Sequence, residues 1–137
     1  MKTKEDNTSI DKTPEIFSSI VLCFDESLEL ETLKKSINHI GITEFKICRP
    51  KFEPKINIEI AIVNYESFWS LDDAISKMFS YVDNVLNELK ETVKKLDGTF
   101  YINIAFFQFG TYPAIVLSRE NIEKIAFLEA SMGIDPY

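Results

Sequence analysis

The chain alternates between stretches of period two and stretches of helical period. Residues 17–24 (FSSIVLCF) put Ile20, Leu22 and Phe24 on one face and Ser19, Val21 and Cys23 on the other, as in a strand with one buried side. Ser27 then stands where a helix cap belongs, and Leu30, Leu33, Ile37 and Ile40 recur at helical spacing until Gly41 stops the helix. Residues 43–48 (TEFKIC) and 56–63 (INIEIAIV) alternate again and read as a hairpin around the proline-bearing, basic loop RPKFEPK. In its second arm Ile56, Ile58, Ile60 and Ile62 share one face, which fixes the side that meets the core. Ser70 and Asp73 make a capping box at the head of the longest helical stripe. That stripe runs through Ile75, Met78, Phe79, Val82, Val85, Leu86, Leu89, Val93 and Leu96 toward Gly98. One helix of that length would span on the order of 39 Å and overhang any ordinary strand.

An aromatic strand (TFYINIAFFQF, 99–109), a GTYP turn, a short strand (AIVL, 114–117) and a helix capped by Ser118 complete the pattern. The spacing turns Ile122, Ile125, Ala126 and Met132 inward, Gly133 ends the helix, and IDPY adds to the sheet edge or packs through Tyr137. The order predicts an α+β domain: a ferredoxin-like βαββαβ antiparallel sheet with helices on one face, extended by a C-terminal short strand, helix and edge segment. The core face is expected to include Ile20, Leu22, Phe24, Ile58, Ile60, Ile102 and Ile104, covered by Leu33, Ile37, Val82 and Leu89.

The last strand is the densest aromatic feature. Its even positions can face the helices while Tyr101, Asn103, Phe107 and Phe109 face the other way. Either the C-terminal helix covers that second set, the favoured reading, or it forms an apolar patch for a partner. Candidate protein-binding residues are Trp69, Phe107, Phe109 and Tyr112.

With 137 residues, 45% of them hydrophobic, the chain fits one domain over 14–137 behind a polar tail at 1–13. The tail's three lysines offset its three acids, so the net charge of −7 rests on the domain. That charge argues against nucleic acid and anionic membrane surfaces as partners. No stretch is apolar enough to span a bilayer, and no signal-peptide core opens the chain, so a cytoplasmic location is expected.

Catalytic chemistry is hard to assemble. Four glycines, all at element boundaries, make no phosphate loop, and a single histidine, His39, has no triad partners. The acidic pairs Asp25-Glu26 and Asp72-Asp73 stand at helix starts, as capping demands. Cys23 and Cys48 are read as small strand hydrophobes rather than a disulfide, a nucleophile or metal ligands. No catalytic residue, metal or cofactor is assigned.

The first strand followed by LELETLKKSIN and Gly41-Ile42-Thr43, then Trp69-Ser70-Leu71, then LSRENIEKIAFLEASMGIDPY resembles the bacterial domain-of-unknown-function family 4279 over 17–137. The loop RPKFEPK departs from it in lacking an expected glycine. The resemblance implies a bacterial, uncharacterised cytosolic protein, of a kind often encoded beside toxins as immunity proteins. The functional expectation is a non-enzymatic protein-binding domain, an immunity-type inhibitor of a basic toxin or effector, with a homodimer through the aromatic patch also open. The alternative is a small-molecule-binding regulatory module with a pocket between the sheet and the C-terminal helix.

Overall fold

A computed structural model describes residues 13–108 and 111–137. The elements run β1 (Glu15–Asp25), α1 (Leu30–His39), β2 (Lys46–Cys48), β3 (Lys55–Ser67), α2 (Leu71–Ser80), a 3-10 turn (Asp83–Val85), α3 (Leu86–Lys95), β4 (Thr99–Phe107), α4 (Arg119–Phe127) and β5 (Ser131–Pro136). Five strands form one sheet in the order β2-β3-β1-β4-β5. The first four are antiparallel to their neighbours, whereas β5 lies parallel to β4. The sheet is therefore mixed, not wholly antiparallel: α4 carries the chain back across the helix layer, and such a crossover returns a strand in the same direction.

The core sits where alternation put it. Ile20, Leu22, Phe24, Ile58, Ile60, Ile102 and Ile104 are buried beneath Leu33, Ile37, Val82 and Leu89, each large side chain contributing roughly 1.5–3 kcal/mol by leaving water. Two small residues, Ser18 and Ala74, lie where α2 crosses β1, and the Ser18 hydroxyl donates to the Ala74 carbonyl at 3.3 Å. At the end of α1, Gly41 (φ 95°) donates to Asn38 and Ile42 donates to Ile37, the paired bonds of a glycine C-cap.

Local departures from the pattern have local causes. Between Ile20↔Ile60, Ser18↔Val63 and Ile16↔Glu66, β3 twice uses one residue more than β1. The extra residues form bulges in which Ala61 (φ 52°) and Tyr65 (φ 42°) adopt left-handed backbone. Val63 thus takes the core position expected of Ile62, which is only half-buried. The single long helix is interrupted: the apolar stripe continues, but Asp83 and Asn84 are poor helix formers between β-branched Val82 and Val85, and a 3-10 turn separates α2 from α3. Helix α1 starts after Glu29, without a side-chain cap; Ser27 stands two residues before that position, in a turn where its amide donates to the Asp25 carboxylate at 2.9 Å.

The segment expected as a strand over 114–117 makes one isolated bridge, Ser70↔Ala114, and leaves Ile115 and Val116 exposed. Helix α4 is capped by Ser118 as expected, through a bond from the Asn121 amide. It ends by Leu128, before Gly133, which lies within β5. Its inward stripe is Asn121, Ile125 and Leu128, so Ile122 and Ala126 are exposed, and Met132, expected on the same stripe, lies in β5 and is exposed there. Among the described residues no helix is long and apolar enough to cross a membrane.

Candidate functional site

The strands give the sheet two faces, and the helices occupy one. Helix α4 does not cover the other. It packs on the helix side, with Leu128 in the common core: the Asn121 amide donates to Asp72 Oδ1 (2.8 Å), to the Asp72 carbonyl (3.3 Å) and to Ser76 Oγ (2.9 Å). The Lys124 ammonium meets Asp83 at 3.0 Å, and Glu129 meets Lys94 at 3.3 Å and Lys90 at 3.8 Å. The charged outer face of α2, the 3-10 turn and α3 thus helps seat α4. Burial alone would raise the Asp72 carboxyl, but bonds from the Ser118 amide and Asn121 hold it below the ordinary carboxylate value.

On the open face four aromatic rings form a row at one end of the sheet. Phe17 meets Tyr65 (centroids 5.5 Å apart), Tyr65 meets Phe107 (5.0 Å), and Phe107 meets Tyr137 (5.7 Å). Each ring comes from a different part of the chain. Phe17 stands near the start of β1, Tyr65 at the second bulge of β3 and Phe107 at the end of β4. Tyr137 follows β5 and is tied to β4 by its amide, which donates to the Phe106 carbonyl at 2.9 Å. Burial raises the Tyr65 phenol, and the neighbouring Tyr137 phenol adds to the shift. The row is accessible: Phe107 is 40% exposed and Tyr137 64%. Alternation puts the Glu15 and Asp135 carboxylates on the same face, their backbones paired with Phe107 and Ala105.

The rest of this face is more polar. Ser19 is fully buried among its neighbours and donates to Glu59 at 2.6 Å. Tyr101 lies over Gly133, where a Cβ would collide with the tyrosine hydroxyl. Cys23 and Cys48 both pair with Asn57, from opposite sides of β3. Their Cα atoms are therefore two strand spacings apart, on the order of 10 Å and beyond disulfide reach. Burial raises the Cys23 thiol, keeping it from being a ready nucleophile.

The sequence-predicted residues do not converge. Phe107 belongs to the row, but Tyr112 meets Phe106 edge-on (5.7 Å, 70°) on the helix side of the sheet. Trp69 is 55% exposed beside that segment, its carbonyl accepting the Ala114 amide. Phe109 lies outside the described residues. Phe17 and Tyr65 were missed. Phe17 shares the odd parity of Ser19, Val21 and Cys23, and Tyr65 that of Asn57 and Glu59, so alternation was a usable signal for both; the two bulges offset each other, and Tyr65 was missed because β3 runs past residue 63 to Ser67. Among the described residues the most exposed aromatic is Phe52 (93%), in the basic loop between β2 and β3.

Hollows lie elsewhere. A cleft of about 820 Å³ opens beside β2, between residues 41–46, Ala61-Ile62 of β3 and the α2–α3 junction, with no lining from α4 or β5. A smaller hollow of about 400 Å³ holds His39 with Lys35, Lys95 and Ser36, and no carboxylate. Among the described residues no group of His, Cys, Asp or Glu is arranged to hold a metal ion. Comparison of the chain with protein-family models, curated proteins and solved structures gives no match.

Proposed function

We propose that this chain is a non-enzymatic protein-binding domain whose binding surface is the aromatic end of the open sheet face. The observation that carries the proposal is the row Phe17, Tyr65, Phe107 and Tyr137, accessible on a face that α4 leaves uncovered. Rigid aromatic rings anchor protein interfaces at little entropic cost. The net charge of −7, with Glu15 and Asp135 beside the row, fits a basic partner. An immunity-type inhibitor of a basic toxin or effector is the concrete form of this reading, and membership of the bacterial domain family named above belongs to the same proposal. So does a ferredoxin-like assignment, which the order β2-β3-β1-β4 with antiparallel neighbours supports; β5 is then an addition.

The test is capture of a basic protein by the immobilised chain, repeated with Phe107→Ser and Tyr137→Ser. The expected result is an association rate that falls steeply with salt, and a dissociation rate raised by about tenfold in the double variant. Capture that survives the double variant, or kinetics indifferent to salt, overturns the proposal.

A further inference from the structure

We propose that the cleft beside β2 is a binding site for a small, uncharged molecule that presents apolar and hydrogen-bonding surface in comparable measure. Its volume of about 820 Å³ lies within the ~300–1,000 Å³ range of small-molecule sites. It is separate from the aromatic row: the row crosses from β3 through β1 and β4 to Tyr137, whereas the cleft opens where the short β2 stops and β3 continues beside it.

Three irregular pieces of backbone, distant in sequence, converge to make it. Gly41 (φ 95°) turns the chain out of α1 into the loop that forms one wall. Ala61 (φ 52°) forms the first bulge of β3 and contributes the second wall. The third is the helix interruption, where Val82 (φ −130°, ψ 0°) and Val85 (φ −127°, ψ 16°) leave helical geometry. No proline imposes the bulge or the interruption. Left-handed alanine and a 3-10 turn within a helical stripe are arrangements that recur at functional sites. Together they hold open a space that a straight helix over a regular strand would close.

The lining gives the chemistry. Phe45, Ile62 and Val85, each half-buried, supply accessible apolar surface, matched by a comparable polar surface. Thr43, Tyr81 and Asn84 supply neutral hydrogen-bonding groups. The charged lining residues are Glu44 and Lys46, which cancel, so the site has no net charge to hold an ion. A protein partner would need on the order of 800 Å² of surface per side, far more than this concave patch offers.

The experiment is a titration of the isotopically labelled full chain with 2-naphthol and, separately, with its anionic counterpart naphthalene-2-sulfonate, followed by amide shifts. The expected result is saturable shifts at 41–46, 61–62 and 81–85, with the sulfonate weaker by about fivefold or more. The variant Asn84→Trp, at an exposed lining position, should fill the cleft and weaken 2-naphthol by about tenfold or more. Thr43→Trp, exposed on the other wall, serves if the first variant disturbs the helix junction. Shifts that fall on the aromatic row or scatter over the surface, equal binding of the anion, or unchanged binding in a folded, filled variant would each overturn the proposal.

Discussion

The two faces of the sheet are built from the same strands and have opposite fates. On the helix side, Ile16, Ile20 and Leu22 of β1 are wholly buried, and their counterparts on β3 and β4 join one continuous core. On the other side, one residue away along each strand, Phe17, Val21 and Cys23 are only half-buried. The difference lies in what α4 does. Had the C-terminal helix crossed the open side, the aromatic row would have become a second core. Instead, Asn121 and the ion pairs of Lys124 and Glu129 fix α4 on the helix side, to α2, the 3-10 turn and α3, which leaves the row accessible. Apolar residues on the two faces thus do different work: one set holds the fold, the other is available to a partner.

The largest expected effect breaks the comparison at its strongest point. Ile60→Asp places a carboxylate with no partner in the middle of the core, a change expected to cost at least about 4 kcal/mol and to unfold the domain. Phe107→Asp introduces the same group on the open face and should leave the melting transition within about 1 kcal/mol of the parent. Thermal and urea unfolding of both proteins measures the contrast. A cooperatively melting Ile60→Asp protein of near-parental stability would mean that the faces are assigned the wrong way round.

That contrast was largely visible in the sequence, because strict alternation over Ile56, Ile58 and Ile60 or Ile102 and Ile104 leaves one choice of inner face. The features that alternation cannot carry were hidden. The first bulge in β3 shifts parity without any glycine to mark it, so Ile62 was placed inward; the second restores it, and Tyr65 was overlooked because it lies beyond the expected end of the strand at residue 63. In α4 a polar residue does the anchoring: Asn121 is 1% exposed, and a search for apolar stripes assigns Ile122 in its place. The aromatic row combines residues from four segments, and Phe107 alone was picked out as a candidate, because tertiary convergence leaves no mark in linear spacing.

An intermediate effect is expected where α4 is fastened. Asn121→Leu keeps the bulk but removes the amide that donates to Asp72 and Ser76. Losing a buried network of this kind costs about 1–3 kcal/mol. Hydrogen exchange should locate the loss, with amides of Arg119–Phe127 losing protection more than those of β1. Equal loss throughout the domain would show that α4 is part of one indivisible core rather than a fastened addition.

The smallest expected effect concerns the charge of that fastening. The Asp72 carboxyl is lower in the folded protein than its ordinary value of 3.8, because the bonds from Ser118 and Asn121 favour the ionised form against the opposing effect of burial. The unfolded chain then binds more protons in the window between the folded and unfolded values. Stability from this group is fully present above the unfolded value and is lost as pH falls through the folded one. The side chain is half-buried and that burial opposes the bonds, so the net change should be slight. Asp72→Asn keeps an oxygen to accept the same bonds but cannot titrate there. The stability difference between the parent and Asp72→Asn should therefore be constant from neutral pH down to about pH 5 and shift against the parent below about pH 4. A difference that stays flat through that range would assign the seating of α4 to shape and neutral hydrogen bonds, with no contribution from the carboxylate charge.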